Sequence, residues 1–431
     1  MSRTTPPRVR LYEPVRGDRA EFWRSLRATY GDVAPVELEP GVHGWLLLSY
    51  DLNRRVLGRD DLFSRDPRTW RDLEDGTIAA DSGIRAAWQY RPTALFSDGD
   101  EHRRLSRSLL RAFDRLNERR TSANISEVSH GLIDRFAARG HADLVADFCV
   151  PLPLMVMGTL FGLSQDQIAR IIDQTTRTWQ GDPEAAQAMG RLLFEVAVAA
   201  REEPDETTLP TLLLEQGLTE AETAAQLGLL LSAGVDPVTH TIGAALRELL
   251  TDTDVSRARS VMRISDSVNL VLVRHTPLET MVARFPLQDL SLGRYQVRAG
   301  DCVVAGFAAA SEDLYAGSTL DEIASNRAHL TWGVGAHRCP HYGRDLSQDM
   351  AETAIGAVFE RLPLLRLATP PESHRWLPNV NLRGLRSLPV RFAARSAAPQ
   401  PPAEAPPVGD VRALGFWRRL AEAVTPRRAA G

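Results

Sequence analysis

Residues 332–340 read Trp-Gly-Val-Gly-Ala-His-Arg-Cys-Pro, and a helical pattern follows directly. Apolar residues recur at helical spacing from 346 to 362, and Pro363 ends the run. Cys339 therefore stands at the beginning of a predicted helix. The helix dipole and the first backbone N–H groups stabilise a thiolate there, because both lower the pKa of a thiol.

Three interpretations of Cys339 follow from its surroundings. A lone thiolate is how haem iron is ligated when a protein pushes electron density toward bound oxygen. An arbitrary cysteine is more often a small buried apolar residue. Zinc is the third alternative, since His337 and His341 flank the cysteine and are legal zinc ligands, although no CxxC or HxxxH pair elsewhere in the chain completes such a site.

Composition limits the class of protein. The chain has 431 residues, of which 43% are hydrophobic, and a net charge of −4 from 51 basic and 55 acidic side chains. This balance argues against general nucleic-acid binding. No run of about 18 apolar residues predicts a membrane span, and the N-terminus has no apolar core of the signal-peptide type. With only three cysteines, we expect a soluble protein of the reducing cytoplasm.

Helical patterns dominate the middle of the chain, with short strand signals at 44–50 and a predicted hairpin arm at 293–304. The longest candidate helix runs from about Glu220 to Leu250 and begins with a Thr219/Glu222 capping box. Its centre, residues 233–237, reads Ala-Gly-Val-Asp-Pro. Glycine and proline weaken a helix, so this segment is either a break between two helices or a kink over a ligand.

The C-terminal end changes in character. We expect one domain over residues 1–392, an Ala/Pro-rich linker over 393–409 and a short amphipathic tail over 410–431. The tail carries apolar residues at helical spacing with arginines nearby. It is either a weakly helical, frayed end or a helix that docks on a partner or an anionic membrane surface.

Four further segments, together with the cysteine loop, resemble one family. They are residues 30–38, 98–105, 143–153 and 383–392, and their order and spacing are similar to those of a soluble bacterial cytochrome P450 from about Tyr12 to Phe392. The resemblance implies a mainly α fold with small β-sheets and haem b as the cofactor.

The resemblance also implies roles for individual residues. Cys339 matches the axial thiolate that ligates the haem iron, and Gly333 lies in the loop that approaches the flat ligand. His337, His102 and Arg284 match the basic residues that pair with the haem propionates. Ala233, Gly234 and Asp236 match the distal helix groove above the iron.

The sequence departs from the family pattern at four places. The threonine that usually follows the distal acid is Pro237, with Thr239, His240 and Thr241 nearby as substitutes. The glutamate of Glu-x-x-Arg is Val271, so we expect Arg274 to find carbonyls, another acid or solvent. The basic residue four positions after His102 is Ser106, with Arg107 one step around the helix as its replacement. A two-residue insertion, His341-Tyr342, precedes Gly343.

The resemblance implies a haem-thiolate monooxygenase that oxidises a small or mid-sized organic substrate with O2. A ferredoxin-type electron donor and its reductase are the implied partners. Because the distal threonine is absent, the chemistry is expected to be atypical. The alternative is a catalytically impaired haem-binding sensor or accessory protein that keeps this fold.

Overall fold

Two compact units make up the computed structural model, which describes residues 7–15, 17–179, 183–251, 264–377 and 381–394. The first unit comprises Met1–Arg107, Asp266–Arg344 and Pro378–Arg383, and the second comprises Ser108–Ser265, Asp345–Leu377 and Gly384–Gly431. The predicted linker from 395 onward and the tail lie outside the described residues. The domain boundary after residue 392 stays a prediction.

Helices dominate both units, as the sequence predicts. The α-helices are Arg19–Tyr30, Tyr50–Leu57, Arg71–Glu74, Gly83–Ala87, Gly99–Asp114, Glu118–Asp134, Pro151–Leu160, Gln165–Trp179, Pro183–Glu202, Leu209–Glu215, Glu220–Gly234, Asp236–Thr251, Ile264–Arg274, Phe307–Leu314, Leu320–Ser325 and His341–Arg361.

Short strands complete the two units. They are β1 (Val9–Arg10), β2 (Val33–Glu39), β3 (Val42–Leu47), β4 (Phe63–Ser64), β5 (His141–Asp143), β6 (Thr280–Pro286), β7 (Leu290–Leu292), β8 (Tyr295–Val297), β9 (Val303–Gly306), β10 (Arg366–Leu367) and β11 (Pro389–Arg391). The first unit holds a six-stranded sheet in the order β1-β2-β3-β9-β6-β4, and the second holds a three-stranded sheet, β10-β11-β5.

Both predicted β segments contain strands, but the second does not form the single hairpin arm that was predicted. Strand β3 covers most of the first predicted strand. The predicted arm at 293–304 is divided: β8 pairs with β7 across the turn at Gly293, whereas β9 joins the large sheet between β3 and β6. The alternating pattern identified the strands, but periodicity carries no information on which neighbour a strand chooses.

The long predicted helix of the second unit is two helices end to end. The Thr219/Glu222 capping box is confirmed, and regular helix geometry is interrupted only at Val235, just before Asp236 and Pro237. Taken together, Glu220–Thr251 is long and apolar enough to cross a membrane, but 61% of its most apolar window is buried in the protein. A core helix passes the same test, so this supports a membrane span only weakly.

Candidate active site

Cys339 lies in the first unit, in the loop that precedes helix His341–Arg361. Its backbone N–H donates to the carbonyl of Trp332 at 2.8 Å, which closes the loop into a compact turn. The carbonyl of Pro340 accepts from the N–H of Arg344 at 3.0 Å, so the helix begins immediately after the cysteine, as predicted. A Cβ on Gly343 would lie 3.5 Å from the cysteine Sγ, which places that glycine beside the sulfur despite the insertion.

Gly335 brings this loop against helix Tyr50–Leu57. Its φ is +79°, a conformation that favours glycine, and a Cβ there would lie 2.8 Å from the carbonyl oxygen of Leu57. Gly333 also has a positive φ, +67°. The two glycines therefore fix the path of the loop, and the approach of this loop to a flat ligand stays a prediction.

His337 points its ring into the interior of the first unit, where its side chain is 4% exposed. Nε2 lies 2.9 Å from the carbonyl oxygen of Ser97 and must carry the proton, because a carbonyl only accepts. Nδ1 lies 3.5 Å from a carboxylate oxygen of Asp60. Its ring centroid is 4.0 Å from that of His102, so the two predicted propionate partners are in contact.

His102 is buried on helix Gly99–Asp114. Burial, and then the neighbouring His337, lower the pKa of His102 to about 4. The ring is therefore neutral near pH 7 in the protein as it stands. An anion placed beside the ring would raise this pKa, because an opposite charge favours the protonated form.

Arg284 on strand β6 is 2% exposed. It donates through Nη2 to the carbonyl of Leu57 at 2.7 Å and through Nη1 to its neighbour Ala283 at 2.9 Å. The nearest carboxylate is that of Asp60, at 3.6 Å, too long for a hydrogen bond. Burial lowers the pKa of the Arg284 guanidinium, so this charge is held at a cost.

Arg65 was missed by the sequence analysis. It follows β4, is 1% exposed, and donates to the carbonyls of Val282 and Ala283 at 2.6 and 2.7 Å. Burial and the charge of Arg284 lower the pKa of Arg65 to about 9. No motif surrounds Arg65 in the sequence, and its role is visible only once β4 and β6 are paired.

These side chains form what we call the cationic cluster, after its two guanidinium groups: Arg65 and Arg284, with the histidines His102 and His337 beside them. Within the described residues, Nε of both arginines, Nδ1 of His337 and the hydroxyl of Ser97 have no hydrogen-bond partner. Unmet buried polar groups are costly, and two buried guanidinium groups side by side are more so. A ligand with two carboxylates would supply acceptors for the Nε–H groups of the two arginines and for the Ser97 hydroxyl. The cluster therefore fits the propionates of haem b.

Arg107 does not join this cluster. It is exposed on helix Gly99–Asp114, five positions after His102 and thus well around the helix. The predicted replacement for the basic residue at Ser106 therefore has no geometric support. Arg65 provides the additional buried cation instead, from a different element.

The predicted distal residues lie in the second unit, at the junction of helices Glu220–Gly234 and Asp236–Thr251. Ala233 is exposed, and a Cβ on Gly234 would meet no atom within 4 Å, so this helix face is open. Burial raises the pKa of the Asp236 carboxyl to about 7. Burial also lowers the pKa of His240 to about 4.

The hydroxyl groups of Thr239 and Thr241, near Pro237, differ in their hydrogen bonds. Thr241 donates to the carbonyl of Pro237 at 2.7 Å, a bond within its own helix. The Thr239 hydroxyl is buried and finds no partner in the part of the chain that the structure describes. Of the two threonines, Thr239 is therefore the one whose hydroxyl can serve a ligand.

We expected Arg274 to find carbonyls, another acid or solvent, and the structure places it in contact with solvent. Arg274 is exposed at the end of helix Ile264–Arg274. Burial raises the pKa of Glu312, and the charges of Arg24 and Arg274 oppose that shift. Val271 is 1% exposed and lies in the core. The usual ionic pair is absent at these two positions, because Val271 carries no charge.

Val271→Glu tests this arrangement. We expect a loss of at least about 2 kcal/mol in the free energy of unfolding, because the carboxylate would be buried without a partner. Urea denaturation of the variant and of the matched Val271→Ile control measures it. A stabilised variant would contradict the structure, since it would require Arg274 to turn inward.

The zinc alternative has no support in the structure. Over the described ranges, no group of three or more histidine, cysteine, aspartate and glutamate side chains could hold a metal ion. All three cysteines lie in these ranges, and no disulfide joins them. A haem iron differs, since it takes a single thiolate from the chain.

The chain is similar in sequence and in fold to known cytochromes P450. Cytochrome P450 monooxygenase PikC of Streptomyces venezuelae is 29% identical over 399 residues, which cover 89% of this chain and 93% of PikC. Cytochrome P450 107B1 of Saccharopolyspora erythraea is 28% identical over 369 residues, covering 82% and 90%. The structure of CYP154C4 from Streptomyces matches with a TM-score of 0.81 and 25% identity, covering 90% of this chain and 99% of that one. No family model matches the chain.

Proposed function

The chain belongs to the cytochrome P450 family of haem-containing monooxygenases, and from this premise we propose that it oxidises a small or mid-sized organic substrate with O2. A ferredoxin-type donor and its reductase supply the electrons, in the cytoplasm. The observation that carries the proposal is the cationic cluster in the same unit as Cys339. Docking through the C-terminal tail falls outside the described residues and stays a prediction.

Haem b would be held at two kinds of group. Cys339 would ligate the iron through its thiolate, and the cationic cluster would receive the propionates. When bound, the haem supplies the iron centre at which oxygen is activated. The chain's own contribution is to orient the group, to neutralise its two negative charges and to keep the thiolate at the start of a helix.

Proton delivery falls to the distal helix residues in this proposal. An acid with a pKa of about 7 holds a proton near neutral pH and can release it there, which suits Asp236 to general acid work. The Thr239 hydroxyl, which has no partner among described residues, would pass that proton on. His240, with its pKa lowered to about 4, would stay neutral and act as a hydrogen-bonding group.

Asp236→Asn should remove a pH dependence of stability. Between about pH 4 and pH 7 folded Asp236 keeps a proton that the unfolded chain has lost. The free energy of unfolding therefore falls as pH rises through this window. Asp236 is half-buried, so solvent screening reduces the effect of the shift. We expect the free energy of unfolding of the variant to exceed that of wild type by on the order of 2 kcal/mol at pH 8 and to equal it at pH 4. If the variant and wild type differ in the free energy of unfolding by the same amount at pH 4 and at pH 8, the raised pKa of Asp236 is contradicted.

Pro237→Thr and Thr239→Val separate two proton routes. If Thr239 has taken over the role of the usual threonine, Pro237→Thr should change the ratio of product formed to NADPH consumed by less than about threefold. Thr239→Val should lower it by roughly 100-fold, the usual size of a lost proton relay. A large gain from Pro237→Thr would instead show that the route was lost rather than moved.

The absorbance spectrum of the purified protein tests the proposal itself. We expect a Soret band, and after reduction with dithionite under carbon monoxide the shifted band of a thiolate-ligated haem. A protein without haem after expression with a haem precursor would refute it. The second candidate, a haem-binding sensor or accessory protein, is favoured by Pro237. Product formation coupled to NADPH consumption, with any substrate, would exclude it.

A further inference from the structure

Asn269 makes an unusual set of contacts for a residue in mid-helix. It lies in helix Ile264–Arg274 and is fully buried. Its Nδ2 donates to three backbone carbonyls, those of Ile323 at 2.9 Å, Ala324 at 3.1 Å and Asn326 at 2.9 Å. An amide nitrogen has two protons, so two of the three carbonyls share one of them. The end of helix Leu320–Ser325 is thus tied to Asn269.

The other half of the same amide holds the next segment. Oδ1 of Asn269 lies 3.2 Å from Nε2 of His329. Because Nδ2 faces carbonyls, Oδ1 must accept, and Nε2 of His329 must carry the proton. Burial lowers the pKa of His329 to about 4, so this contact is between neutral groups at physiological pH.

Two further hydrogen bonds, made by the adjacent residues Thr331 and Trp332, link this segment to the helix and to the cysteine. The hydroxyl of Thr331 donates to the carbonyl of Leu272, on the same helix as Asn269, at 3.2 Å. The next residue, Trp332, offers the carbonyl that accepts from the N–H of Cys339 at 2.8 Å. The segment 323–332 is therefore fastened to the helix before it reaches the cysteine loop.

We propose that Asn269 is a positioning residue for the Cys339 thiolate, and that its neutral amide network fixes the segment 323–332 on which the cysteine loop depends. The inference rests on the proposed function, since it needs Cys339 to bind haem. Val271, two positions further along the same helix, is apolar and buried, so this helix has no buried carboxylate at the position where the family usually places one. A neutral amide avoids the desolvation cost of a buried ion pair, but it demands N–H donors at this position.

Asn269→Asp is the sharpest test, because it keeps the shape and replaces both N–H donors with an acceptor facing three carbonyl oxygens. Ser129→Asp is the control. Ser129 is equally buried, and its hydroxyl donates to the carbonyl of Ile125 at 2.7 Å on helix Glu118–Asp134 of the second unit. Both variants place a carboxylate against backbone carbonyl oxygens and should lose thermal stability, but only the Asn269 network belongs to the unit that holds Cys339.

The measurement is the spectrum of the dithionite-reduced carbon monoxide complex of the full-length holoprotein, which separates thiolate-ligated from thiol-ligated haem. We expect Asn269→Asp to raise the thiol-ligated fraction at least fivefold over wild type, and Ser129→Asp to leave it unchanged. Equal fractions in both variants would overturn the inference, because Asn269 would then be only structural. If Asn269→Asp does not fold, Asn269→Ser, which keeps one donor, is expected to give an intermediate fraction, and a wild-type fraction there overturns the inference too. A wild-type protein without any thiolate signature would instead refute the proposed function.

Discussion

Cys339→Ala is expected to abolish the thiolate signature of the reduced carbon monoxide complex and, with it, all turnover. No other thiol can take over the role. Cys149 and Cys302 are at most 1% exposed, and burial raises the pKa of both thiols. Both therefore stay protonated and enclosed in the core, where a porphyrin has no access.

Cys302→Ala provides the control for that experiment. Like Cys339→Ala, it removes one sulfur atom, here a buried one. The variant should therefore lose about 1 kcal/mol of stability or somewhat more and keep the wild-type spectrum. A Cys339→Ala protein that retains the thiolate band would remove the foundation of the proposed function. The spectrum should be recorded on protein whose haem content has been measured, because a variant that binds no haem shows no band of either kind.

Arg284→Met should separate haem binding from stability. Replacing a buried charge by an apolar side chain of similar volume is often neutral or stabilising. We therefore expect the free energy of unfolding of the haem-free protein to stay within about 1 kcal/mol of wild type. Haem affinity should fall by roughly 10- to 100-fold, the value of a charge-assisted hydrogen bond to a propionate.

The comparison needs haem titration and urea denaturation on the same preparations. Arg107→Met is the control, because Arg107 is exposed on helix Gly99–Asp114 and should change neither quantity. A variant that loses several kcal/mol without haem but binds haem as tightly as wild type would show that Arg284 only ties β6 to Leu57. Arg65→Met should behave as Arg284→Met does.

The sequence predicted the parts of the site that depend on local order along the chain. The cysteine loop with its helix and the Thr219 capping box are local patterns, and the structure confirms both. Arg65 and Asn269 could not be predicted, because their partners are backbone carbonyls more than 50 positions away. Such contacts leave no trace in periodicity or spacing.

Arg274 shows a different limit of sequence reasoning. The resemblance carried an inward-facing pair of charges onto positions 271 and 274, yet only the arginine is present. A guanidinium that lacks a buried acid is more stable in water, and Arg274 is exposed in the structure. The outward direction of the Arg274 side chain is consistent with Val271, which replaces the glutamate that usually holds this arginine inward.

The carbonyl oxygen of Leu57 has a consequence for how this protein can vary. It receives the guanidinium of Arg284 at 2.7 Å, and it also lies where a side chain at position 335 would begin. This one carbonyl oxygen therefore limits how closely the cysteine loop approaches helix Tyr50–Leu57, and it also holds the guanidinium of Arg284 in place. Any methyl group added at 335 would push on that atom and displace the arginine as well. If Cys339 and Arg284 hold the haem as proposed, a change at Gly335 has to be matched by a change near Arg284, because both positions meet this one carbonyl oxygen.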